Sequence, residues 1–149
     1  MNQLTRVRIE GYRSIRKSAV DLKELKILIG ANGPGKSNLV SFFRLISFMA
    51  TGALQEHIGR EGGSHSLLFR GPKRTPQIVA ALEFTGESGF NEYALRLIHG
   101  APESMVFGEE RLTFHRTGAP RATETQFGAG HKESERDRSA KLIFSAPTS

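Results

Sequence analysis

The chain of 149 residues contains no cysteine, which excludes a disulfide framework and any metal site built on thiolates. It has no long apolar run either. The longest apolar-rich stretch, Leu39 to Ala50, is interrupted by Ser41, Arg44 and Ser47 and is too short to cross a bilayer. The N-terminus shows no signal-peptide segment. The expectation is therefore a soluble, cytoplasmic chain with no membrane partner. His57, His65, His99, His115 and His131 stand at no metal-like spacing. Nothing supports Ser/His/Asp catalysis, since Gly86-Glu87-Ser88-Gly89 does not fit G-x-S-x-G and falls where a hairpin turn is expected. Aromatic residues do not interleave with basic ones as they do on single-strand stacking platforms.

What is present is modest hydrophobicity and an excess of positive charge. Hydrophobic residues make up 38% of the chain, the formal net charge is +6 and the pI is about 10.1. The excess falls into two concentrations. Arg6, Arg8, Arg13, Arg16 and Lys17 stand against Glu10 alone, and Arg60, Arg70, Lys73 and Arg74 against Glu61. Such a distribution serves solvated faces together with phosphate binding, or a nucleic-acid track.

Alternation organises much of the chain. Thr5, Val7 and Ile9 face one way and Arg6, Arg8 and Glu10 the other, the pattern of a half-exposed strand over 4–10. Ala19 to Leu22 reads as a second strand and the apolar run Leu25 to Ile29 as a buried third. Asn38 to Ala50 reads as a helix whose only polar stripe is Ser41, Arg44, Ser47 and Thr51, so burial on most sides is expected. Residues 59–76 are punctuated by Gly and Pro and read as loop. Residues 78–98 read as an antiparallel hairpin turning at Gly86–Gly89, followed by short strands at Met105–Phe107 and Glu110–His115. From Arg116 the chain is polar, His131 to Arg138 reads as loop or disorder, and Lys141 to Phe144 could start a strand.

Between the third strand and the helix lies Gly30-Ala31-Asn32-Gly33-Pro34-Gly35-Lys36-Ser37, which fits G-x-x-x-x-G-K-[ST]. By chance the four fixed positions would recur at a given start on the order of once in tens of thousands. Such a loop turns successive backbone N–H groups inward as a nest for anionic oxygens, and the following helix aims the positive end of its dipole at the same place. Lys36 adds a mobile charge for the β- and γ-phosphates, and Ser37 offers a hydroxyl to Mg²⁺. Gly33 and Gly35 permit close approach of backbone to phosphate.

Together, G-Y-R-S-I (11–15), V-D-L (20–22) and L-K-I-L-I-G-A-N-G-P-G-K-S-N-L (25–39) resemble the opening of bacterial predicted ATPases of the ABC-type group, often labelled AAA-family. These are relatives of the chromosome-maintenance, recombination-protein F and overcoming-lysogenization-defect proteins. Gly62-Gly63 before Leu67-Leu68 and Gly71, and Gly128-x-Gly130-His131-Lys132-Glu133-Ser134, are similar to the same subgroup. The resemblance implies an α/β P-loop NTPase fold: an ABC-ATPase-like N-terminal lobe with a mixed sheet and one long buried helix after the P-loop. It implies ATP and Mg²⁺ as cofactors, ATP hydrolysis as the family activity, a head-to-head dimer, and DNA or an effector as partner. The implied nucleotide-binding residues are Gly30, Ala31, Asn32, Gly33, Gly35, Lys36, Ser37, Asn38 and Arg13, with Ser37 as the metal ligand.

The second half of that machinery is absent. The chain has two aspartates, Asp21 and Asp137, neither closing an apolar strand as Asp-Glu, and no Leu-Ser-x-Gly. No catalytic residue is assigned, and Gln55, Gln77 and Gln126 are indistinguishable as γ-phosphate sensors. The chain reads as one incomplete ATPase domain: 1–52 with strands, P-loop and first helix, 53–77 as loop region, 78–115 as antiparallel strands, and 116–149 as a polar tail. A truncation, a fragment or a split protein missing its C-terminal half would each look this way. Alternatives of other classes are a non-hydrolysing or degenerate interaction fragment, and a basic nucleic-acid-binding module. Pro34 lacks an N–H, so the nest forgoes one donor whose charge-assisted bond is worth roughly 1.5–3 kcal/mol before water recovers part of it. Pro34→Ser should therefore tighten nucleotide binding in calorimetry; equal affinity would show that the missing donor is immaterial.

Overall fold

The computed structural model describes residues 2–22 and 34–133. The expected strand at 25–29, motif residues 30–33 and the expected strand start at 141–144 lie outside them. β1 (Gln3–Tyr12) turns through Arg13-Ser14 into β2 (Ile15–Asp21). Three helices follow: α1 (Pro34–Ala50), α2 (Leu54–Arg60) and the single turn α3 (Ser64–Leu67). The chain then returns to strand as β3 (Gln77–Gly86), β4 (Gly89–Gly100), β5 (Ser104–Arg116) and β6 (Thr123–Gln126). These make one six-stranded sheet in the order β2-β1-β3-β4-β5-β6.

The architecture corrects the expected α/β P-loop NTPase fold with its ABC-ATPase-like lobe, mixed sheet and long buried helix. All five strand pairings among the described residues are antiparallel. β1–β2 and β3 to β6 are joined as hairpins, and the crossover from β2 to β3, on the two sides of β1, carries the helices; α1 is 17 residues long and buried along one stripe only. Leu39, Phe42, Leu45, Ile46 and Met49 are buried, whereas Ser37, Arg44 and Ser47 face outward and Val40 is 56% exposed. The apolar count overstates the burial because apolar side chains also populate surfaces. A single sheet face can cover only one side of a helix.

That face follows from strand alternation. Val7 and Ile9 of β1, Ile78, Ala80, Leu82 and Phe84 of β3, and Tyr93, Leu95 and Leu97 of β4 are buried with the inward stripes of α1 and α2 in one core. Each fully buried Leu or Ile there contributes about 1.5–3 kcal/mol. The opposite face carries Arg8, Glu83, Glu92, Glu109 and Arg111, linked by ion pairs. β5 is one strand where two were expected. Its register shifts opposite Arg96/Leu97, so burial moves from Met105 and Phe107 to Glu110 and Leu112. A bulge inserts one residue and resets the period-2 pattern, which in sequence looks like a gap.

The last described residues are strapped across β5 and α2. Tyr93 donates its hydroxyl hydrogen to the buried Glu110 carboxylate at 2.7 Å, and Glu110 lies 2.8 Å from His131 Nε2. The Glu133 carboxylate accepts from the backbone N–H groups of Leu54 and Gln55 at 2.8 and 3.0 Å. It thereby satisfies donors that the start of α2 leaves open.

Gly11 fixes where the 68–76 loop rests. It has φ +80°, and a Cβ there would lie 2.5 Å from the Gln77 carbonyl oxygen and 2.8 Å from Thr75 Cγ2. Gly11→Ala should cost at least about 2 kcal/mol from strain and contact together. Urea denaturation should show a lower midpoint at unchanged slope.

Candidate functional site

The sequence motif ends inside α1. Pro34 is the first helical residue, a position where its missing N–H costs no intrahelical bond. Gly35, Lys36 and Ser37 complete the first turn, where unsatisfied backbone N–H groups and the dipole favour an anion. Lys36 is half-buried and Ser37 exposed. Gly30, Ala31, Asn32 and Gly33 lie outside the described residues.

Three elements meet on one side of this helix. The side-chain amide of Asn38 donates to Ser14 Oγ, tying the second turn of α1 to the β1–β2 turn. One turn further along α1, Ser41 Oγ and Tyr12 Oη lie 2.6 Å apart. The Tyr12 ring meets Phe42 edge-on at 5.6 Å. Burial raises the Tyr12 hydroxyl above its ordinary pKa, opposed by the Ser41 hydrogen bond and the Arg13 charge, so it stays a protonated donor or acceptor.

Arg13 sits in the β1–β2 turn with φ 47°, a left-handed conformation that costs a non-glycine residue roughly 1–2 kcal/mol. Its N–H donates to the Leu67 carbonyl at 2.8 Å. Its guanidinium pairs with the Glu61 carboxylate just beyond α2 and lies 5.8 Å from the Tyr12 ring centroid. The expected nucleotide-binding arginine thus neighbours Ser14, the partner of Asn38, but its guanidinium is held by a carboxylate. Tyr12 and Ser14 fall in the G-Y-R-S-I stretch but carry no assigned role, and Glu61 and Ser41 have no site signature in sequence. For Ser41 the one signal is helical spacing, one turn from Asn38.

His57 lies against the later part of α1. His57 is buried, stacks on Phe48 at 4.5 Å, and its Nε2 finds no hydrogen-bond partner among the described residues. Burial lowers its pKa, with Arg13, Arg44 and Arg60 acting in the same direction and Glu61 against. Ser37, the expected Mg²⁺ ligand, is exposed, and among the described residues no three His, Cys, Asp or Glu side chains gather to hold a metal ion.

The architecture is that of an antiparallel sheet with helices on one face. A family model described as protein of unknown function (DUF2813) matches residues 2–55, from β1 through α1. No curated protein and no solved structure matches the chain. No helix among the described residues is long and apolar enough to cross a membrane.

His57 makes stability pH-dependent in one direction. Its folded pKa lies below the ordinary value of about 6.5, so the unfolded chain takes up this proton first as pH falls. The contribution is complete above about pH 6.5 and is lost as pH falls from there through the depressed folded value. Tm measured downward from neutral pH should fall more steeply in the wild type than in His57→Phe, which keeps the ring stack without the titrating nitrogen. Parallel curves would remove His57 as the cause.

Proposed function

We propose that the chain binds ATP, with Mg²⁺, at Gly30–Ser37. The observation that carries this reading is that α1 begins within the motif. Lys36 and Ser37 therefore occupy the first turn of a 17-residue helix, and the glycine segment before them is where phosphate oxygens would meet the N–H groups and the dipole. Lys36 supplies charge to the phosphates and Ser37 a hydroxyl to the metal. Asn38 fixes the helix against the turn that carries Arg13. Arg13 belongs to the site once it leaves Glu61, because the bound phosphates offer it a stronger anion than the partly exposed carboxylate.

Binding without turnover is the reading for this chain alone. Hydrolysis needs a positioned water and complete metal coordination, and the chain offers no Asp-Glu pair for either. Nucleotide binding would then act on a partner rather than release energy by itself.

Isothermal titration of the full chain with ATP and Mg²⁺ tests this. Lys36→Ala should lower affinity at least about tenfold, the loss of roughly 1.4 kcal/mol, in a variant that circular dichroism shows to be folded. Binding that survives Lys36→Ala would overturn the assignment, and phosphate release by the purified chain would overturn the absence of turnover.

A further inference from the structure

The two basic concentrations of the sequence meet in space at a place separate from the motif. An open pocket of about 340 Å³ lies between the start of β2 and the 68–76 loop, with Arg16 on one side and Arg70 and Arg74 on the other. Gly11, Phe69 and Thr75 complete its wall. The three arginines are exposed, and none forms an ion pair among the described residues. Glu10 lines the same pocket and stands opposite Lys17 in the β1–β2 register. Positive charge therefore prevails. Lys17 and Lys73, both exposed, follow Arg16 and precede Arg74 in sequence and extend it.

The arginines are held rather than trailing. Phe69 N–H donates to the Gly11 carbonyl at 2.9 Å, Gly71 N–H to Leu68 at 3.0 Å, and Thr75 N–H to Gly71 at 2.9 Å. Arg70 takes φ 58° in this turn, a conformation unfavourable for its type, and its guanidinium lies 5.2 Å from the Phe69 ring centroid. Strain of this kind is retained where the surroundings over-determine it, and it clusters at ligand clamps. Guanidinium forks are suited to phosphate oxygens. A single free phosphate would use one such fork; cations repeated across an open rim suit a chain of phosphates.

We infer that this pocket, through Arg16, Arg70 and Arg74, binds the phosphodiester backbone of a nucleic acid. The inference does not depend on nucleotide binding at Gly30–Ser37, and its test runs without added nucleotide. Anisotropy of a fluorescein-labelled mixed-sequence oligonucleotide is followed with the full chain over a salt series. Arg16→Ala, Arg70→Asn and Arg74→Ala should each weaken binding about three- to tenfold. Each should also reduce the slope of log K against log salt by about 0.7–0.9. Asparagine tolerates the left-handed conformation, so Arg70→Asn should keep or raise Tm while losing binding, a combination a purely structural arginine would not give. Arg121→Ala, an exposed cation elsewhere, should bind as the wild type. Unchanged affinity in the three pocket variants, or an equal loss in Arg121→Ala, would overturn the site. Displacement of the oligonucleotide by inorganic phosphate at the same phosphate concentration would assign the pocket to free phosphate and overturn the nucleic-acid reading.

Discussion

Everything in this molecule depends on the pairing of β1 with β3. The two strands are joined along most of their length, from Gln3↔Thr85 to Glu10↔Val79, although α1, α2 and α3 intervene in sequence. Closing so long a connection costs entropy that grows only slowly with its length. The return is that all three helices are confined between two adjacent strands of one sheet, so their apolar stripes meet the single face where Val7, Ile9, Ala80 and Leu82 are buried. A one-faced sheet explains why α1 has a wet side, and why Arg8, Glu92 and Arg111 cross-link the other face of the sheet as exposed ion pairs of little individual worth.

The same pairing places chemistry. The end of β1 is where Tyr12 reaches Ser41 of α1, Arg13 reaches Glu61, and Gly11 receives the loop that carries Arg70 and Arg74. The two surfaces proposed above to take phosphate thus lie about one strand terminus. One is the first turn of α1, held by Asn38 to Ser14; the other is the arginine pocket. The Arg13–Glu61 pair follows directly on Tyr12, so an intramolecular carboxylate competes with any anion for that arginine.

Much of this order was legible from alternation. β1, β3 and β4 show it because one of their faces is buried and the other charged. β2 was read only in its last part, as Ala19–Leu22, and β6 escaped, for a common reason: as edge strands, Ile15–Asp21 and Thr123–Gln126 bury little, so backbone pairing rather than an apolar pattern defines them. β5 was divided by its bulge. The helix after the motif was placed correctly but its burial was overestimated, since Val40 reads as core in sequence and lies outside it. Within the candidate site, Lys36, Ser37 and Asn38 were visible from the motif. Glu61 and Ser41 were not, because contacts between distant segments leave no local spacing to read.

The position of β3 in the chain also has a consequence for synthesis. Residues 3–67 hold β1, β2 and all three helices, yet the strand that must dock beside β1 begins at Gln77. At roughly 5–20 residues per second, several seconds separate the emergence of β1 from that of its partner. During that interval Leu39, Phe42, Leu45, Ile46 and Met49 have no completed sheet to lie on. Until β3 emerges, the nascent chain leaves uncovered the very stripe that later becomes its interior.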